Sequence, residues 1–308
     1  MKLRAILIGL TLLCMGAKPV FAGAVWYPVP TDAYAFGKRY PDAQALLFAF
    51  DYGHALVYER LLLNKGKITD PEKFEKELLT QIIAILKNPP TVKVDEEDIA
   101  PQYVYKFPFM VALFDWSHML HQFIYDALAT SKDRGPAMIK HVNEIFAKYN
   151  SKPQVAVTNA CKSMLFMDGH YFSKSFRRTY PSFNLLIWSY HWLQIRLYEA
   201  LVQPTEKERD AGVAKTVKDF WALISNLPDS ADFDMMPSTA IESPTFAKMF
   251  PAIPPAFDNV HMLHDIVSDM LTSDKVAESS IMTEELKFGG MAMDPKAFAT
   301  VQCAGSTP

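Results

Sequence analysis

The heptapeptide pattern Phe-Asp-x-x-His-x-Leu occurs three times: at Phe50–Leu56, Phe114–Leu120 and Phe257–Leu263. A polar pair buried in a run of large apolar residues restricts what the chain can become. An α-helix puts residues i and i+3 within about 60° of each other, so Asp and His share one face each time. The last two copies continue in step, His121 with His264, Asp126 with Asp269 and Leu128 with Leu271. A fainter fourth copy is Ile187-Trp188-Ser189-Tyr190-His191-Trp192-Leu193, with Trp188 in place of the Asp. Glu199 follows His191 by the same interval that separates Asp126 from His118 and Asp269 from His261. Successive motif histidines are 64, 73 and 70 residues apart, room for one or two connecting helices. The spacing therefore predicts an all-α, multi-helix bundle whose four-helix core is built from the repeated motif.

Helix signals support that class. Pro41 opens an apolar stretch to about residue 63, and Asp70-Pro71-Glu72 is a cap signal for a helix that ends before Pro89-Pro90. Residues 89–107 read as a loop. Helices are expected at roughly 108–130, 135–149, 153–167, 182–202, 205–226 and 256–273. A long connector is expected from Pro228 to Pro255, a candidate lid ahead of the last motif, and a loosely ordered tail over 289–308. Alternating β-branched runs are nearly absent.

The N-terminus reads as an export signal. Lys2 and Arg4 precede the apolar run Ala5–Met15, and Val20-Phe21-Ala22 suits a signal peptidase. Residues 1–22 are taken as the signal peptide and 23–288 as one helical domain, in a periplasmic or secreted protein. Cleavage moves the formal charge from −3 to −6, because Lys2, Arg4 and Lys18 leave with no acid. That balance gives no reason to expect nucleic acid as a partner. No later segment is apolar for long enough to span a membrane. Cleavage leaves two cysteines, Cys161 and Cys303, a candidate disulfide in an oxidising compartment.

The chemistry lies in the histidines. Six of the eight fall in the motif helices, and the candidate metal ligands are His54, His118, His191 and His261, with His121 and His264 as further ligands or orienting groups. Asp51, Asp115, Asp258 and Glu199 are candidate carboxylate ligands. Carboxylate and imidazole at i and i+3 is the pairing of helical dinuclear centres, with Asp here in place of Glu. Iron is the first expectation, with zinc, copper or manganese also compatible. A small-molecule substrate is expected if the metal is redox-active.

Three alternatives accompany this reading. His261-x-x-x-Asp265 resembles an element of exported all-helical zinc phosphoesterases, which implies zinc-bound hydroxide as nucleophile. A non-catalytic role would be metal storage or haem held between histidines. The third is structural: Asp and His of each motif hydrogen-bond within their own helix. No Cys-x-x-Cys-His, Walker loop, Gly-x-Ser-x-Gly or His-Glu-x-x-His occurs.

Overall fold

A computed structural model describes residues 31–93, 95–227 and 235–298. The expected signal peptide and Cys303 lie outside them. Among the described residues the regular structure is helical and no strand occurs. The chain runs as four successive groups. The first is α1 (Ala35–Arg39), α2 (Pro41–Leu63) and α3 (Pro71–Lys87); the second is α4 (Glu96–Ile99), α5 (Pro101–Lys106), α6 (Pro108–Thr130) and α7 (Pro136–Asn150). The third is α8 (Met164–Asp168), α9 (Ser175–Thr179), α10 (Pro181–Leu201) and α11 (Glu206–Ile224). The fourth is α12 (Thr239–Glu242), α13 (Pro244–Met249), α14 (Pro254–Thr272) and α15 (Ile281–Met293).

Each group brings a short helix up to an aromatic residue followed by proline, and a long helix comes next. The junctions are Tyr40-Pro41, Phe107-Pro108, Tyr180-Pro181 and Phe250-Pro251. Proline disfavours the helical region for the residue before it. Accordingly Tyr40, Phe107, Tyr180 and Phe250 share one conformation, φ −128°, −126°, −132° and −132° with ψ 63°, 47°, 67° and 62°. The short helix stops there and the chain turns. At the first three junctions proline then starts the long helix, where its missing N–H costs nothing.

The long helices α2, α6, α10 and α14 form the core. α14 is buried on every side from Ala256 to Leu271, its polar residues included. The helices that follow are amphipathic covers. α3 buries Leu78, Ile82 and Leu86 at intervals of four, and α7 buries Met138, Val142 and Phe146 in the same way. Each cover packs on its own core helix: α3 on α2, α7 on α6, α11 on α10 and α15 on α14. Asp70 caps α3, accepting from the Lys73 amide at 3.0 Å. No helix of the described residues is long and apolar enough to cross a membrane.

The structure departs from expectation in four places. Residues 89–107 contain α4 and α5 rather than a continuous loop. The helix expected at 153–167 is confined to Met164–Asp168, because its backbone is engaged elsewhere. Val157 donates to the Tyr149 hydroxyl at 2.7 Å and Thr158 to the Ala292 carbonyl at 2.8 Å, while the Thr158 and Ala160 carbonyls accept from the Asn259 amide. The described part of the 228–255 connector holds α12 and α13. The chain is still helical at Gly289, since α15 runs to Met293, and Phe298 is buried beyond it. Cys161 is disulfide-bonded, and the other two cysteines lie outside the described residues.

Candidate metal centre

All six motif histidines converge on the middle of the four core helices. α2 supplies His54, α6 supplies His118 and His121, α10 supplies His191, and α14 supplies His261 and His264. Their rings form a continuous cluster. His54 lies 4.7 Å from His264 and 5.8 Å from His191, centroid to centroid, and His191 stacks on His261 at 4.0 Å. His121 is 5.8 Å from His261, and His118 is 5.6 Å from His264. Phe50, Phe114 and Phe257 pack their rings against His54, His264 and His121 at 3.9–4.1 Å, walling the cluster with apolar surface.

His54, His191 and His264 each offer one nitrogen, and those three atoms lie within 4.8 Å of one another. Bonds of about 2.0–2.1 Å to a common ion would bring them to roughly 3.3 Å, a change within reach of small ring rotations. Nine of the twelve ring nitrogens of the six histidines are buried without a hydrogen-bond partner among the described residues, including both nitrogens of His54 and of His191. A buried polar group left unpaired costs about 1–3 kcal/mol. One orphan is an oddity; nine in one cluster leave lone pairs that a bound ion could take up. Transition-metal ions do that, and the donor set fits them.

Burial sets the protonation state. Desolvation drives all six histidines toward the neutral form, and the neighbouring imidazoles push the same way for most of them. His118 is lowered to about 4 and His261 to about 3, in both cases mainly by burial. Neutral imidazole is the form that ligates metal.

The four candidate carboxylates are placed differently. Asp51 stands beside the cluster, its Oδ1 3.5 Å from His118 Nδ1 and its Oδ2 3.8 Å from Lys93 Nζ. Asp115 is buried next to the same group, facing Glu96 and Lys93, and burial followed by Glu96 raises its pKa well above the usual range. Asp258 instead accepts from the Thr239 amide and hydroxyl at 2.9 and 2.7 Å and from Ser238 at 3.1 Å, holding the start of α12. Glu199 accepts from the amides of Thr245 and Phe246 at the start of α13. These two carboxylates hold the starts of α12 and α13, and the intrahelical Asp–His pair is not the arrangement found. Asp51 meets the histidine of another helix.

Several participants carry no motif. Gln194 Oε1 lies 3.2 Å from His261 Nε2, and the Tyr198 hydroxyl lies 2.6 Å from His121 Nδ1. Gln194 follows His191 by three residues, as His121 follows His118 and His264 follows His261, and that spacing was the available signal. Lys93 is buried beside Asp51 and Glu96. Tyr58 and Tyr125 donate to the carbonyls of His264 and Gln194, so they tie core helices together. Asp265 is held by the Trp188 indole N–H at 3.2 Å.

Two small cavities of about 30 Å³ each flank the cluster. Asp51, Lys93, His118, His121 and Gln194 line one; His54, Tyr58, Asp115, His118 and His264 line the other. Each has room for a water-sized molecule.

No family model matches the chain, and neither a curated protein nor a solved structure matches it. The functional reading rests on the geometry above.

Proposed function

We propose that this chain is an exported metalloprotein in which His54, His191 and His264 hold a transition-metal ion, and that it reacts with molecules no larger than dioxygen or peroxide. The observation that carries the reading is the convergence of three buried, unpartnered imidazoles from three different helices within 4.8 Å. Neutral nitrogen donors suit iron, copper, zinc or nickel better than magnesium, calcium or manganese. On intrinsic affinity copper leads the divalent ions, so supply in the compartment decides the occupant. A redox-active ion would supply electron transfer to the small oxidant. The protein's own groups exclude bulk water and hold the ligands neutral, and Asp51 and Asp115 place carboxyl groups nearby.

The zinc phosphoesterase alternative is less well supported. A phosphodiester needs an open approach to the metal, whereas the cavities at this cluster have water-sized volumes. In addition, Asp265 of the His261-x-x-x-Asp265 element is bonded to Trp188.

Elemental analysis of the mature protein, grown with mixed metals, tests the proposal together with a His54→Ala, His191→Ala double variant. Bound iron or copper that the variant loses supports it. A protein that binds no metal above weak, nonspecific levels while folded overturns it, and zinc with chelator-sensitive phosphodiesterase activity overturns the redox assignment.

A further inference from the structure

The hydrogen bonds of the core helices reveal a register that the Phe-Asp-x-x-His pattern obscures. Counting thirteen residues from each junction proline, Pro41, Pro108, Pro181 and Pro251, reaches His54, His121, Gln194 and His264. Three residues before these stand Asp51, His118, His191 and His261. Five residues after them stand Glu59, Asp126, Glu199 and Asp269. Each of these last four carboxylates accepts from the backbone of a short helix, always at the residue four before the junction aromatic. Glu59 takes the Tyr103 amide of α5 at 2.8 Å, and Asp126 takes the Phe36 amide of α1 at 2.8 Å. Glu199 takes the Phe246 amide of α13 at 3.4 Å, and Asp269 takes the Phe176 amide of α9 at 2.8 Å.

The exchange is reciprocal. Group one caps group two and is capped by it; groups three and four do the same. An operation that swaps one with two and three with four also carries the Tyr58 bond to the His264 carbonyl onto the Tyr125 bond to the Gln194 carbonyl. It exchanges His191 with His261, which stack face to face, and Asp51 with His118, which meet at 3.5 Å. Residues exchanged by a two-fold and in mutual contact lie astride its axis.

Applied to His54, His191 and His264, the operation gives His121, His261 and Gln194. The ring separations agree: 5.8 Å for His54–His191 and 5.8 Å for His121–His261. We infer that His121, His261 and Gln194 form a second metal position, the internal two-fold mate of the first, with a glutamine oxygen replacing one imidazole. The inference rests on the metal-binding reading of the first position. His121 Nε2 is buried and has no hydrogen-bond partner among the described residues. The Tyr198 hydroxyl at His121 Nδ1 fixes that ring and leaves Nε2 as the ligand atom, as the outer hydrogen bond of a ligating histidine ordinarily does. Gln194 Oε1 lies 3.2 Å from His261 Nε2, a separation that two ligand atoms of one ion can take, so an ion would replace that hydrogen bond. The stacked His191–His261 pair gives one ring to each position, so the two ions sit on either side of a single ring stack. Two nitrogens and a neutral oxygen hold a soft divalent ion less tightly than three nitrogens, so the positions fill in order.

The test is titration of the metal-free full chain with cobalt(II), read by calorimetry and by elemental analysis after gel filtration, with circular dichroism to confirm folding. Two equivalents are expected, the second at least tenfold weaker. His121→Ala should abolish only the weaker one, and Gln194→His should strengthen it at least tenfold with the tighter one unchanged. If Gln194→His does not fold, Gln194→Ala, which should weaken the second equivalent, takes its place. One equivalent, lost in His54→Ala and unaltered by the His121 and Gln194 changes, overturns the second position and leaves the first standing. No binding at all by folded protein overturns both.

Discussion

His191 and His261 lie face to face, 4.0 Å apart and 8° from parallel, although they come from α10 and α14. Two imidazoles stack this closely in a buried setting only when both are neutral, because protonating either would place an unsolvated cation against its neighbour and cost several kcal/mol. Burial holds His261 down to about 3 and His191 well below its usual value.

Metal retention in mild acid follows from that. A histidine with its ordinary pKa near 6.5 is about nine-tenths protonated at pH 5.5, and each such ligand would cost roughly tenfold in affinity. Here the lowered values keep the ligands neutral, so the cobalt affinity should fall less than about threefold between pH 7.5 and pH 5.5. A tenfold or steeper loss, measured by competition with a pH-insensitive chelator, would show that the histidines titrate normally.

The buried charge group around Lys93 gives a pH effect of definite sign. Asp51 is raised to about 6 by burial even with Lys93 beside it, and burial raises Glu96 and Asp115 as well. A carboxyl whose folded pKa is raised binds its proton more tightly in the native state than in the unfolded one. It therefore subtracts stability as pH rises from its unfolded value toward its folded value. Removing the ammonium raises all three further. Lys93→Met should be close to wild type at pH 5 and about 3 kcal/mol less stable by pH 8. Melting temperatures across that range check it, and a loss independent of pH would refute it.

The exchanged caps should be energetically visible. Glu59→Ala leaves the amides of Gln102 and Tyr103 without their acceptor. At about 1–3 kcal/mol for an unsatisfied buried group, the expected loss is about 2 kcal/mol, or ~4–8 °C in melting temperature. Metal stoichiometry should be unchanged. Asp269→Ala should behave alike, since the amides of Lys174 and Phe176 depend on it. A shift under 1 °C in both variants would show that the caps are dispensable.

The disulfide at Cys161 tests the export reading. With residues 1–22 removed, Cys303 is the one remaining cysteine with which it can pair. Non-reducing peptide mapping of the secreted protein should recover a Cys161–Cys303 linked peptide. Reduction should lower stability by about 2–4 kcal/mol. Recovery of Cys14 in the mature chain would refute the cleavage.

Helix positions were legible wherever proline wrote them. Pro41, Pro108 and Pro181 mark the starts of α2, α6 and α10, because a proline reports on its own backbone and on the residue before it. The 153–167 segment was misread because its fate depends on Tyr149, Asn259 and Ala292, partners that no local pattern names. The six histidines were legible as a group, since apolar neighbours on both sides leave them nowhere to go but inward. Their register was not. Phe50-Asp51-x-x-His54 looks like Phe114-Asp115-x-x-His118, yet the capping contacts place His54 level with His121. The shared Phe-Asp is local text, while the capping carboxylates act on helices in other parts of the chain. For the same reason Asp258 and Glu199 read as ligands when their oxygens hold the starts of α12 and α13.

The reciprocal caps divide the labour of folding unevenly. Glu59 and Asp126 close helix ends within residues 35–126, and Glu199 and Asp269 do so within 175–269. Each half thus exchanges one pair of caps within itself, while Glu75, Lys65 and Arg134 of the first half also serve the ends of α10 and α14. The proposed first metal position, however, takes His54 from one half and His191 and His264 from the other. An ion bound there would act as a clasp. If a chain severed between the halves still paired, the strength with which the pieces rejoin would depend on how much metal is in the solution.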